Sequence, residues 1–246
     1  MSRPDPAPDQ ERAYRKQELA ATLRIFAARG FAEGAGGHVT VRDPERLDCF
    51  WVNRFGQHFG QVRASDLLLV DSAGTVIAGE GTVNPAGFAI HSQIHAARPD
   101  VLAAAHCHTV AGRAWSTLGR LLDPLTQDAC AFFEDHQVYD DYSGVVLDTQ
   151  EAKRIAAALG PAKAVILRNH GLLTVGGSVP EAAWWFVSMD SCCAVQLAAE
   201  AAGRPVRISP DDARHTRDTI GVPALGRLNF RPMYDEVVRS QPDLLD

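Results

Sequence analysis

Apolar residues recur at helical spacing in ERAYRKQELAATLRIFAARG, where Leu19, Leu23, Phe26 and Ala27 share a face before Gly30 ends the run. The pattern predicts a helix over residues 11–30. GHVTVRD and CFWVN predict strands, the first by strict alternation, and LLLVD and TVIAG on either side of Ser72-Ala73-Gly74 predict a hairpin. A helix is expected from Ala86 to Ala97, stopped by Pro99. A strand VLAAAHCH follows, then a short helix over VAGRAWSTL, a helix over TQEAKRIAAALG, an apolar strand AVILRNH ending on His170, and a strand LLTVG. Ser178 and Glu181 in SVPE have the spacing of a capping box and open a long helix that stops at Gly203. One more helix is expected in the last 26 residues, from Gly221.

Strands and helices are mixed throughout with no linker-like stretch after residue 10, which predicts a single α/β domain over residues 11–246. The first ten residues, MSRPDPAPDQ, have three prolines and three charges but no apolar segment, and are expected to form a disordered tail without a secretory signal. No apolar run approaches the roughly 18 residues needed to cross a bilayer, so no membrane partner is expected. With 46% hydrophobic and 22% charged residues the composition is that of an ordinary globular domain. A formal charge of −6 argues against a nucleic-acid partner but leaves room for a local anion site. The five cysteines form no CxxC pair, are read as core packing, and suit the reducing cytoplasm.

The candidate chemistry lies in histidines. On a strand, residues two apart share a face, so His106 and His108 of AHCH can aim at one point while Cys107 faces away. His170, ending a second core strand before Gly171, is the candidate third ligand of a metal ion. His91 and His95 share a helix face, but Ser92 stands where a zinc protease pattern needs Glu, so they are read as a surface pair. His38, His58, His136 and His215 stand alone and are expected on surfaces or loops, with His38 able to face a ligand after its Gly-rich turn. That turn, GAGGH, fits neither a dinucleotide fingerprint nor a P-loop.

GGHVTVRD, FWVNRFGQHFGQVRASDLLLVD, NPAGFAIHSQIHAARPDVLAAAHCHTVAG, VYDDYSGVVLD and AVILRNHGLLTVGGSVPEA together resemble the class II aldolase/adducin family, in the same order, over about Glu18 to Gly203. The resemblance implies a three-layer α/β/α fold around a central, largely antiparallel sheet. It also implies a homotetramer acting on a small molecule. By resemblance His106, His108 and His170 hold a divalent ion, zinc before manganese or iron, that acts as a Lewis acid. Gly37, His38, Asn53 and Asn84 are the candidates for holding an anionic group of the substrate. Asp128, Tyr139 and Tyr142 lie in a segment that in family tetramers can approach a neighbour's site.

Departures from the family pattern narrow the expectation. Sugar-phosphate aldolases of the family carry two serines that hold phosphate and then an acid. In this chain the aligned stretch is NPAGF, with Pro85 and Ala86 at the serine positions and Gly87 at the acid. A phosphorylated substrate is therefore disfavoured. His91, one turn beyond Gly87, is the expected replacement in proton transfer, with a supporting place behind the ligands as its alternative. AGFAIHSQIHAARPDV and LRNHGLLTVGGSV look closer to the adducin head and its bacterial relatives than to the sugar-phosphate aldolases. The leading expectation is a metal-dependent carbon–carbon lyase, of aldolase or decarboxylase type, on a non-phosphorylated oxo or hydroxy acid. An Fe(II) oxygenase on the same scaffold and a non-catalytic adducin-like interaction domain are the alternatives.

Overall fold

The structure, a computed structural model, describes residues 7–246. Helix α1, Pro8–Ala28, begins inside the stretch expected as a tail, with Pro8 in the first turn where its missing N–H leaves no bond unmade. Residues 1–6 of that stretch lie outside the described residues.

Eight strands form one sheet: β1 His38–Arg42, β2 Phe50–Val52, β3 Leu68–Val70, β4 Val76–Ala78, β5 Ala103–Cys107, β6 His136–Tyr139, β7 Ala164–Leu167 and β8 Gly171–Gly176. Their order is β4-β3-β2-β1-β5-β8-β7-β6. Every neighbouring pair is antiparallel except β6 with β7. The other helices are α2 Pro85–Ala97, α3 Val110–Ser116, α4 Gln127–Cys130, α5 Thr149–Leu159, α6 Val179–Ala202, α7 Pro210–Ile220 and α8 Pro223–Ser240. Helices α1, α3 and α6 cover one face of the sheet and α2 and α5 the other, which gives the expected three layers.

Strand alternation sorts the residues between the layers. Val39, Val41, Ala103, Ala105 and Cys107 enter the core under α1 and α6, whereas Ala104, Val165 and Leu173 enter the core under α2 and α5. In the β1–β5 register, His38 stands opposite His106 and Thr40 opposite Ala104. His38, Thr40, Arg42 and His106 therefore all face the α2 layer.

Some expectations need correction. The strand expected to run to His170 stops at Leu167, because residues 168–170 make the tight turn of a β7–β8 hairpin. In the capping box, Ser178 accepts from Glu181 N, but the Glu181 carboxylate accepts from Gly177 N rather than Ser178 N. Strand β6 and helix α7 were not anticipated. All five cysteines are buried and unpaired, in line with core packing.

Candidate metal centre

Three imidazoles converge at the ends of β5 and the β7–β8 hairpin. His106 and His108 project from the same face of the β5 strand line, and Asn169, in the left-handed region at φ 58°, reverses the chain so that His170 turns toward them. Their candidate ligand atoms all lie within 4.8 Å of one another, and Nε2 of His170 is 3.0 Å from Nε2 of His108. His106 donates from Nδ1–H to the Leu172 carbonyl at 2.7 Å, which leaves the lone pair on Nε2. That Nε2 is buried and has no partner among the described residues. Such an orphaned buried nitrogen costs about 1–3 kcal/mol, a cost that a ligand would remove. Two nitrogens in near contact beside a third with a free lone pair fit a divalent ion at bond lengths of about 2.0–2.1 Å.

Protonation favours the same use. Burial pushes the His170 imidazole down to about 4, with His108 adding to the effect. Burial and then neighbouring imidazoles hold His106 well below its ordinary value, while burial and then Arg113 lower His108. All three are neutral donors at pH 7.

The triad opens into a cavity of about 360 Å³ whose other walls include Gly36, Gly37, His38, Asn84, Ala86, Ile90, Arg113, Tyr142, Gly144, Val145, Val146 and Asn169. Among the described residues no carboxylate lines it, and Arg113 is its one cation. Arg113 pairs with the exposed Glu33 at 2.5 Å. A more open depression of about 860 Å³ lies between Arg120, Glu200 and Arg204, but Arg120 is already paired with Glu200 and Arg207 with Asp123.

The residues singled out in the sequence fall into two groups. Gly37, His38 and Asn84 line the cavity. Gly37 has φ +96°, and a Cβ there would meet Cys107 Sγ, the His106 carbonyl and the Phe59 ring, each at 3.1 Å, so only glycine lets this turn lie against β5. Asn84 spends its oxygen capping α2, accepting from Ala86 N and Gly87 N. His38 bonds through Nδ1 to His91 and leaves Nε2 without a partner among the described residues.

Asn53 and His91 do not line the cavity. Asn53 is buried and accepts from Val39 N at 3.1 Å, fastening the start of β1. His91 is wholly buried behind His38, with Nε2 2.8 Å from His38 Nδ1 and Nδ1 2.7 Å from Thr40 Oγ1. The surface reading of His91 and His95 is overturned, because α2 is packed between the sheet and α5 and buries more than one face. His38 and His136 are buried too, the latter bonded to Phe132 O and Leu122 N, whereas His58 and His215 are exposed as expected. Tyr142 reaches the cavity, and Asp128 and Tyr139 do not. Arg113 and Asn169 were missed. Their signals were a cation one helical turn beyond HxH and an Asn before the hairpin histidine.

A sequence profile of the family described as Class II Aldolase and Adducin N-terminal domain matches residues 17–197. Decarboxylase NovR of Streptomyces niveus is 46% identical over 237 residues, 96% of this chain and 88% of the relative. The 4-hydroxy-3-prenylphenylpyruvate oxygenase/4-hydroxy-3-prenylbenzoate synthase of Streptomyces roseochromogenus subsp. oscitans is 47% identical over 237 residues, 96% of this chain and 86% of the relative. Among solved structures, L-fuculose 1-phosphate aldolase from Glaciozyma antarctica PI12 superposes with a TM-score of 0.92 at 41% identity, covering 100% of this chain and 96% of that one. No helix among the described residues is long and apolar enough to cross a membrane.

Proposed function

The chain belongs to the class II aldolase and adducin N-terminal domain family, and from that premise we propose that it is a metal-dependent carbon–carbon lyase for a non-phosphorylated arylpyruvate or related oxo acid. The observation that carries this reading is the orphaned Nε2 of His106, set beside the paired Nε2 atoms of His108 and His170. These three residues would hold the ion, zinc before manganese or iron. When bound, the ion would supply a Lewis acid for an oxo acid.

The chain's own residues set the substrate class. Arg113 offers the cavity's one positive charge to a carboxylate, while Ile90, Val145 and Val146 wall an apolar end that suits an aromatic body. Pro85 and Ala86 offer no hydroxyl for a phosphate. His38 Nε2, unbonded at the cavity wall, is the group placed to hold or release a proton, a part His91 cannot take because both its nitrogens are engaged. The reading extends to a cytoplasmic homotetramer: Val145 and Leu147 of the cavity loop are 74% and 65% exposed, apolar surface that a second copy would cover.

A second reading, an Fe(II) oxygenase, is favoured by the printed name of the 47% identical relative. Three neutral imidazoles differ from the usual facial triad, which includes a carboxylate.

One experiment separates the readings. Protein purified without chelators and reconstituted with Zn, Mn or Fe(II) is given 4-hydroxyphenylpyruvate with and without oxygen. Carbon–carbon cleavage without oxygen supports the lyase, and Fe(II)-dependent oxygen uptake supports the oxygenase. Failure to bind any of these ions would sink both and leave an adducin-like interaction domain.

A further inference from the structure

Behind the cavity wall, β1 and α2 join side chains into one hydrogen-bonded file. His38 Nδ1 lies 2.8 Å from His91 Nε2, His91 Nδ1 2.7 Å from Thr40 Oγ1, and Thr40 Oγ1 2.9 Å from His95 Nε2. The file follows from two local spacings. His38 and Thr40 share a strand face, and His91 and His95 are one helical turn apart, so strand and helix supply alternate members. All four are at most 5% exposed.

The two ends of the file lie beside different spaces. His38 borders the triad cavity, and His95 borders a second cavity of about 400 Å³ lined also by Arg42, Asp48, Ser92 and Gln93. The cavities share no lining residue. A network built only to dock α2 on the sheet would satisfy its ends, as buried polar groups normally do. Here the two ends are left open in different ways: His38 Nε2 makes no hydrogen bond among the described residues and its ring lines the triad cavity, whereas His95 Nδ1 is buried and orphaned.

We propose that His38, His91, Thr40 and His95 form a proton relay between the triad cavity and the second cavity. The protons balance with every residue neutral. In one polarity His38 Nδ1–H donates to His91, His91 Nδ1–H to Thr40, and Thr40 Oγ–H to His95 Nε2, while His95 carries its proton on Nδ1. A proton arriving at His38 Nε2 moves each of these one place along, and the proton on the buried His95 Nδ1 passes to a water that reaches it from the second cavity. The file then runs in the opposite polarity, with His38 holding a proton on Nε2 that it can return to the cavity. The relay thus sets whether His38 presents a base or an acid, and no buried imidazolium forms. Burial, the first cause of the lowered proton affinity of His91 and His95, favours such a neutral shift.

Service to a reaction in the triad cavity rests on the proposed function, but the relay itself does not, so it is tested first in metal-free protein. Thr40→Val removes the hydroxyl with little change of shape, and Thr40→Ser keeps it. NMR of isotope-labelled histidine should show the imidazole protons of His91 and His95 exchanging with solvent at a common rate in wild type and Thr40→Ser. In Thr40→Val the His91 exchange should slow by about tenfold or more, within the range that one proton-transfer group supplies. His95→Asn cuts the outer end and should slow His91 in the same way, which covers the case where Thr40→Val does not fold. Unchanged His91 exchange in these variants overturns the relay, whether or not the protein turns over a substrate. In the metal-loaded enzyme given 4-hydroxyphenylpyruvate, both variants should lose about tenfold or more in kcat with KM and metal content unchanged, and Thr40→Ser should recover it. Unchanged kcat overturns the relay's part in the reaction.

Discussion

A side-chain carbon added to Gly87 would lie 2.5 Å from Cδ2 and 2.8 Å from Cγ of His38. The imidazole of His38 thus fills the space that a side chain at residue 87 would take. His38 is kept there by its bond to His91, so it cannot swing aside without breaking the file behind it.

Gly87→Ala should therefore destabilise the protein although alanine favours helices. The gain in helix propensity is at most about 1 kcal/mol, whereas forcing a methyl into a packed site costs about 1–3 kcal/mol. A lower midpoint in thermal unfolding, with His38 displaced in the variant's structure, is the expected result. An unchanged midpoint with His38 in place would show that the site has room.

Arg113→Met should weaken substrate binding and leave the metal alone. A charge-assisted hydrogen bond to a carboxylate contributes about 1.5–3 kcal/mol, so KM for an arylpyruvate should rise roughly ten- to hundredfold. Glu33→Gln releases Arg113 from its pair and should lower KM modestly. Steady-state kinetics beside metal analysis reads both. An unaltered KM in Arg113→Met would move the carboxylate elsewhere in the cavity.

Acid should unfold the metal-free protein early. Burial holds His91, His95 and His136 below the ordinary imidazole value, with His95 down to about 3. In the unfolded chain they titrate near 6.5, so below that pH the unfolded state binds protons that the fold refuses. Each such histidine removes up to about 1.4 kcal/mol per pH unit, until the pH falls through its folded value. Glu18 works the other way: burial first, then Glu11, raises it to about 7, so its contribution is present below about 4.5 and lost as pH rises. Three histidines outweigh one carboxyl, and urea midpoints should fall steadily from pH 6.5 to 5. A flat profile would mean that these imidazoles are protonated in the fold.

Which parts of this were legible depends on how local their causes are. His106 and His108 could be paired from sequence because the strand period alone puts them on one face. His170 was a candidate from its place at a strand end, but its approach to the pair was not legible, since only the β7–β8 hairpin brings it across. Gly37 was found as part of a Gly-rich turn, yet its reason, close approach to Cys107 and Phe59, is tertiary. The burial of His91 and His95 could not be read from α2, because it depends on the sheet on one side and α5 on the other. Helix α7 escaped because its one buried residue, Ala213, leaves no apolar stripe to detect. Strand β6 is four residues long and takes its place only by lying parallel to β7.

Metal binding should be visible as stability before any activity is found. An ion that binds only the folded state at a hundred times its dissociation constant stabilises by about 2.7 kcal/mol. Titrating zinc into the metal-free protein should therefore raise its unfolding midpoint and saturate at one ion per chain. His106→Ala/His108→Ala should abolish both the shift and the bound ion. The single change His106→Gln should abolish the shift but lower metal-free stability only slightly, because Nε2 of His106 has no protein bond to lose. A zinc-induced shift that survives in the double variant would place the ion elsewhere. A large loss of metal-free stability in His106→Gln would mean that the histidine is kept for its Leu172 bond rather than for a ligand.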